Sequence, residues 1–139
     1  MTRSAVEPYL PALRARAAEM MHQAYAPYSQ FKVGAALLAT DGTIIGGCNV
    51  ENASSPAGTC AERCALGAAV ASGHQRFMAV VVCTAAAEPT PPCGICRQAL
   101  AEFGLQLEVV SSTASGAEAR WTLAELLPFP FTPSQLQTR

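Results

Sequence analysis

The chain has 139 residues, of which 50% are hydrophobic and 14% charged, and its net charge is −1. That length suits a single domain, 1–139, and the apolar share supplies a core with enough left over for subunit contacts. Nothing in the near-neutral balance points to a nucleic acid, because neutralising phosphates needs clustered Lys and Arg.

Met1 to Met21 carries Arg3, Glu7, Arg14, Arg16 and Glu19 and lacks a continuous apolar stretch. Neither a secretory signal nor a membrane span is expected there, so the expected setting is the reducing cytoplasm. The six cysteines then read first as metal ligands or small buried apolar residues, not as disulfides.

Leu10, Leu13, Ala17, Met20, Met21 and Ala24 recur at helical spacing, which predicts a helix over 8–25 with Pro8 and Pro11 in its first turn. Phe31 to Ala39 and Ile44 to Asn49 flank the turn signal Thr40-Asp41-Gly42-Thr43 and predict a β-hairpin. A loop over 52–59 leads to an Ala-rich helix over 61–71 that stops at Ser72-Gly73. Phe77 to Thr84 reads as a fully buried strand. A Pro-rich loop, a helix over 93–103, a strand over 105–111, a weak strand over 119–122 and a helical turn over 123–127 follow. The tail, 128–139, has three prolines and no periodicity, so it packs elsewhere or frays. This order predicts an α/β fold in three layers, a mixed five-stranded sheet with helices on both faces.

Pro92-Cys93-Gly94-Ile95-Cys96 is the strongest chemical signal. Two cysteines three apart at a helix start share one helix face. Taken alone, the pair reads as a redox couple, half of a structural zinc site, or chance. Thr59-Cys60-Ala61-Glu62 adds a third cysteine at another helix start, and in a helix-flanked sheet the two N-termini can converge at one edge. Three thiolates on zinc leave a fourth position open, the catalytic arrangement, whereas a fourth protein ligand closes a structural site. Cys64, one turn after Cys60, is the candidate for that closing role; with Cys48 and Cys83 it also reads as a small buried apolar residue.

Glu62 has two competing readings. Thr59-x-x-Glu62 matches a capping box, with Thr59 as the N-cap. Two residues after a ligand cysteine, the same carboxylate stands where a proton shuttle belongs. Arg63 is placed to hydrogen-bond the sulfurs and draw off their negative charge, or else is a solvated helix residue.

Cys60-Ala-Glu62-Arg63 with Pro92-Cys93-Gly-Ile-Cys96-Arg97-Gln98 resembles the base-modifying zinc deaminases, with Cys60 in the histidine position of their signature. The cysteine form resembles the small homotetrameric cytidine deaminases. Tyr25-Ala-Pro27-Tyr28-Ser29-Gln-Phe31-Lys-Val33-Gly34, Gly47-Cys48-Asn49-Val-Glu51-Asn52 and Leu126-Leu127-Pro128 with Phe131 extend the likeness along most of the chain.

The resemblance implies one Zn2+ per subunit, held by Cys60, Cys93 and Cys96. It implies hydrolytic deamination of cytidine and deoxycytidine to uridine and deoxyuridine in pyrimidine salvage, with activated water attacking C4 and ammonia leaving. Glu62 would move the protons, and Asn49 and Glu51 would hold the ribose. Phe31 and Ala61 would line the base site, and Phe131 would reach the site of a neighbouring subunit in a homotetramer. Apart from the resemblance, Phe31 and Phe131 read as packing residues, and Asn49 and Glu51 as turn chemistry after a strand. The chain departs from the family at Ser55, where an aromatic residue is common. Two alternatives stand beside this reading: deamination of a cytosine nucleoside antibiotic, and a non-catalytic zinc-stabilised binding module closed by Cys64.

Overall fold

The computed structural model describes residues 3–136; the ends of the expected domain, 1–2 and 137–139, lie outside them. The expected first helix is divided. Arg3–Val6 forms α1, Glu7–Tyr9 a 3-10 turn and Leu10–Gln23 helix α2. Pro8 and Pro11 each occupy the first turn of their own element, where a missing N–H breaks no intrahelical bond. Helix α2 stops where Ala24 turns to extended backbone.

The expected hairpin forms from β1 (Val33–Ala39) and β2 (Ile44–Cys48), paired antiparallel from Gly34 opposite Cys48 to Leu38 opposite Ile44. Strand β3 (Phe77–Thr84) lies antiparallel on the other side of β1, β4 (Glu108–Thr113) parallel to β3, and β5 (Glu118–Thr122) antiparallel to β4. The sheet order is β2-β1-β3-β4-β5, the expected mixed five-stranded sheet. The helices that follow α2 are α3 (Ala61–Ala71), α4 (Gly94–Ala101), α5 (Leu123–Leu126) and α6 (Pro133–Leu136).

Strand β4 runs to Thr113, not to Ser111, and begins at Glu108, not at Leu105. Its polar end is tolerated because each hydroxyl finds a partner. Ser111 Oγ donates to Thr90 O at 2.7 Å, Ser112 Oγ donates to Val82 O at 3.3 Å, and Thr113 Oγ1 pairs with Ser115 Oγ. The carbonyls of Leu105 and Leu107 accept from Ala124 and Leu123 at the start of α5. A capping box of Thr122 and Glu125 fixes that short helix, and α6 adds one helical turn to the tail.

Alternate residues of the central strands serve two cores. Ala36, Leu38, Ala79, Val81, Cys83 and Val110 pack on Leu10, Leu13, Ala17 and Met21 of α2. Ala35, Leu37, Val80, Val82 and Val109 pack on Ala61, Ala65, Leu66 and Ala69 of α3 and Leu100 of α4. Each large aliphatic side chain so buried contributes roughly 1.5–3 kcal/mol. Burial on both faces explains why β1 and β3 read as unbroken apolar runs.

Two glycines set how closely the helices approach. A Cβ on Gly34 would lie 1.9 Å from Ala17 O of α2, and one on Gly47 would lie 2.4 Å from Ala65 N and 2.7 Å from Ala61 O of α3. The first turn of α3 therefore rests directly on the backbone of β2. Gly47→Ala is expected to destabilise the fold by about 1–3 kcal/mol, since backbone must move to admit the methyl. Urea denaturation checks this; an unchanged midpoint would show that α3 is not seated on that glycine.

Candidate active site

Helices α3 and α4 begin at the same place in the fold, and each begins on a cysteine. Cys60 is the N-cap of α3 and Cys93 the N-cap of α4, both in extended backbone, and neither side chain caps its own helix. Cys96 lies buried on the first turn of α4. The three sulfurs lie within 4.8 Å of one another, and those of Cys60 and Cys93 are 3.7 Å apart. Zinc–sulfur bonds of about 2.3 Å in a tetrahedron require sulfurs about 3.8 Å apart, so the trio fits zinc. Among the described residues no further His, Cys, Asp or Glu joins the group, so Cys64 stands outside it.

The two helix N-termini suit anionic sulfur. At Cys93, burial alone would raise the thiol pKa, but the N–H groups of Cys96 and Ile95 and the neighbouring thiols outweigh it and hold it low. Burial, with the nearby charge of Glu62, pushes Cys96 up instead. Arg63 Nη2 donates to Cys60 Sγ at 3.6 Å, and hydrogen bonds to the Cys60 and Cys96 sulfurs raise the guanidinium pKa further. Of the two readings of Arg63, the structure gives the one beside the sulfurs.

Glu62 does not cap its helix. Thr59 is instead paired with Val50 in an extended bridge (N to O 2.9 Å, and 3.0 Å in return), which moves the N-cap to Cys60 and leaves no capping box here. The Glu62 side chain is only 5% exposed and lines the same cavity as Cys60 and Cys93. Burial pushes its carboxyl pKa up, against its own backbone N–H and the Arg63 charge.

That cavity, of about 280 Å³, brings together Phe31, Asn49, Glu51, Cys60, Ala61, Glu62 and Cys93. Its volume suits a small molecule. The loop from α2 to β1 supplies Phe31, the strand end after β2 supplies Asn49 and Glu51, and α3 supplies Ala61 and Glu62. The Asn49 amide spans the β1 entry: Nδ2 donates to Phe31 O at 2.9 Å, and Oδ1 accepts from Val33 N at 2.8 Å. Its turn-forming role is thus real, and each end of the amide keeps capacity for a second partner. Glu51 Oε1 accepts from the N–H groups of Tyr28 and Ser29 at 3.0 and 3.1 Å. Those bonds and the one from the Ser29 hydroxyl hold the Glu51 carboxyl below the ordinary carboxylate range.

Phe131 lies outside this cavity in its own chain and is 57% exposed. Its backbone is nonetheless fixed: Gln98 Nε2 donates to Phe131 O at 2.8 Å, and Phe131 N donates to Gln98 Oε1 at 3.2 Å. Beside it, Arg97 Nε donates to Pro92 O and Arg97 Nη1 to Leu126 O. The sequence reading did not single out Ser29, Thr84, Thr90 or Pro91, which also line the cavity. Ser29 lies within the Tyr25–Gly34 motif; Thr90 and Pro91 belong to a loop that Ser111 Oγ meets at Thr90 O.

A family model described as the cytidine and deoxycytidylate deaminase zinc-binding region matches residues 11–112. A cytidine deaminase of Sporosarcina psychrophila is 44% identical over 125 residues, covering 89% of this chain and 92% of the relative. One from Halalkalibacterium halodurans is 44% identical over 114 residues, 81% and 86% of the two chains. The crystal structure of cytidine deaminase from Burkholderia pseudomallei superposes with a TM-score of 0.83 at 46% identity, covering 86% of this chain and 97% of that one. A more distant blasticidin-S deaminase of Bacillus cereus is 28% identical over 108 residues, 72% of this chain and 76% of that one. The sulfur trio at two helix starts, the fold around it and these matches agree: the chain belongs to the cytidine and deoxycytidylate deaminase family.

Proposed function

We propose that this chain deaminates cytidine and deoxycytidine hydrolytically, giving uridine and deoxyuridine and releasing ammonia. The carrying observation is that three sulfurs, joined among the described residues by no fourth protein ligand, meet beside one small cavity that Cys60, Cys93 and the buried Glu62 carboxylate line. Cys60, Cys93 and Cys96 would hold zinc, which when bound supplies the Lewis acidity that makes water a nucleophile near neutral pH. Arg63 and the two helix N-termini offset the charge of the thiolates and preserve that acidity.

Glu62 takes one proton from the attacking water to the ring nitrogen, then moves the second, from the new hydroxyl on C4, to the departing amine as the C–N bond breaks. Phe31 and Ala61 flank the base. Asn49 and Glu51 receive the sugar, and a nucleoside lacking its hydroxyl would leave a polar group unpaired. The 28% identical blasticidin-S deaminase does not favour the antibiotic alternative.

The tail bears on assembly. Phe129 is 93% exposed, and Tyr25, Tyr28, Val50 and Ile95 are also exposed apolar groups. Such apolar surface marks contacts between chains. The reading is a homotetramer in which the tail, 128–139, packs on a neighbour and Phe131 approaches that neighbour's base site; 137–139 lie outside the described residues. The free thiols suit a reducing cytoplasm and a role in pyrimidine salvage. Among the described residues no helix is long and apolar enough to cross a membrane.

Purified protein with cytidine is expected to lose the substrate's ultraviolet absorbance and release ammonia, and to stop when a chelator strips zinc. Glu62→Gln should keep fold and zinc while kcat falls about 10²–10⁴-fold. A chain that binds zinc but releases no ammonia, and whose measurable properties Glu62→Gln leaves nearly intact, would favour the binding-module alternative. By elemental analysis, Cys64→Ala should retain one zinc per chain and Cys96→Ala should lose it; zinc loss in Cys64→Ala would contradict the ligand set.

A further inference from the structure

Ser29 occupies a junction that the roles above do not use. Its hydroxyl donates to Glu51 Oε2 and accepts from Phe31 N at 3.0 Å. Its own N–H, with that of Tyr28, donates to Glu51 Oε1. Gln30, next in the chain, is among the described residues the non-glycine one with a left-handed backbone, φ 62°, and its N–H donates to Ala26 O at 3.0 Å. Successive N–H groups form an anion-binding concavity, and here those of Tyr28 and Ser29 grip a side-chain carboxylate. Phe31 is held from its other side by Asn49. Ser29 thus ties the base-flanking ring to both sugar-facing groups.

A carboxylate offers about four acceptor positions. Both positions of Oε1 are taken by the two N–H groups, and one on Oε2 by the Ser29 hydroxyl. One position on Oε2 stays open, and Glu51 lines the cavity. The carboxylate cannot turn without breaking those bonds, so the open position has a fixed direction.

We infer that Ser29 is a specificity-determining positioning residue: it leaves Glu51 a single fixed acceptor, so the site selects nucleosides that present one free ring hydroxyl there. This rests on the deaminase reading above. With Ser29 removed, Oε2 gains a second open position and the carboxylate gains rotational freedom, so the contrast between a sugar with the hydroxyl and one without it shrinks.

The experiment measures kcat/KM for cytidine and for 2′,3′-dideoxycytidine, which lacks both ring hydroxyls. The ratio of the two is expected to fall about tenfold in Ser29→Ala, the scale of a hydrogen bond to a charged group. The fall should come through KM for cytidine more than through kcat, and Ser29→Thr, which keeps a hydroxyl, should restore the ratio. In a Glu51→Gln background, the same Ser29→Ala change should move the ratio less than twofold, because the residue acts through Glu51. If Ser29→Ala does not fold with zinc, Ser29→Gly gives the same comparison. A ratio within twofold of wild type, or a tenfold fall that persists without Glu51, overturns the inference. A wild-type enzyme that releases no ammonia from cytidine would instead overturn the deaminase reading.

Discussion

Everything in this site depends on two helices starting at one point with a cysteine at each start. Cys60 and Cys93 are N-caps that leave their sulfurs uncommitted, and Cys96 reaches the same point from one turn inside α4. Packing fixes this convergence. Gly47 lets α3 rest on β2, and the buried Leu100 fixes α4 on the same sheet face. Once the sulfurs meet, the rest follows from charge. Three thiolates outweigh a divalent ion, so positive potential is needed nearby, and Arg63 and the helix N-termini supply it. The Glu62 carboxylate beside them is kept in a dry wall of the cavity, where burial favours its neutral form.

The side of the cavity formed by Asn49 and Glu51 is built by hydrogen bonds. Asn49 spans the entry to β1, and Glu51 is gripped by the turn at Tyr28 and Ser29. These bonds are already made in the free chain, so binding does not have to order the groups that would meet a nucleoside. The helix carrying Cys96 also carries Arg97 and Gln98, which hold the Pro92 loop, the end of α5 and the tail. Metal site and tail therefore share one short helix, and a shift of α4 would move both.

Much of this was legible in the sequence, for identifiable reasons. Cys-x-x-Cys and Cys-x-Glu carry their spacing in the chain, and the apolar runs of β1 and β3 announce burial on both faces. The capping box at Thr59 was misleading because Thr59 is drawn into pairing with Val50, a long-range bridge that local spacing cannot reveal. The extent of β4 was hidden for a similar reason. The expected strand stops at Ser111 and a turn starts at Thr113, because the sequence does not show that Ser111 and Ser112 find carbonyls of other segments and Thr113 the nearby Ser115 hydroxyl. Ser29 was seen only as part of a motif, since its partner Glu51 lies on another element. The first helix broke where the prolines allowed a new start, a boundary that periodicity alone does not fix.

X-ray absorption at the zinc edge of the purified protein tests the central claim most directly, because it counts the donors around the ion. The account predicts three sulfurs at about 2.3 Å and one oxygen or nitrogen at about 2.0 Å. Four sulfurs, with no lighter donor, would mean that a further cysteine closes the site, and the open position on which the chemistry depends would not exist.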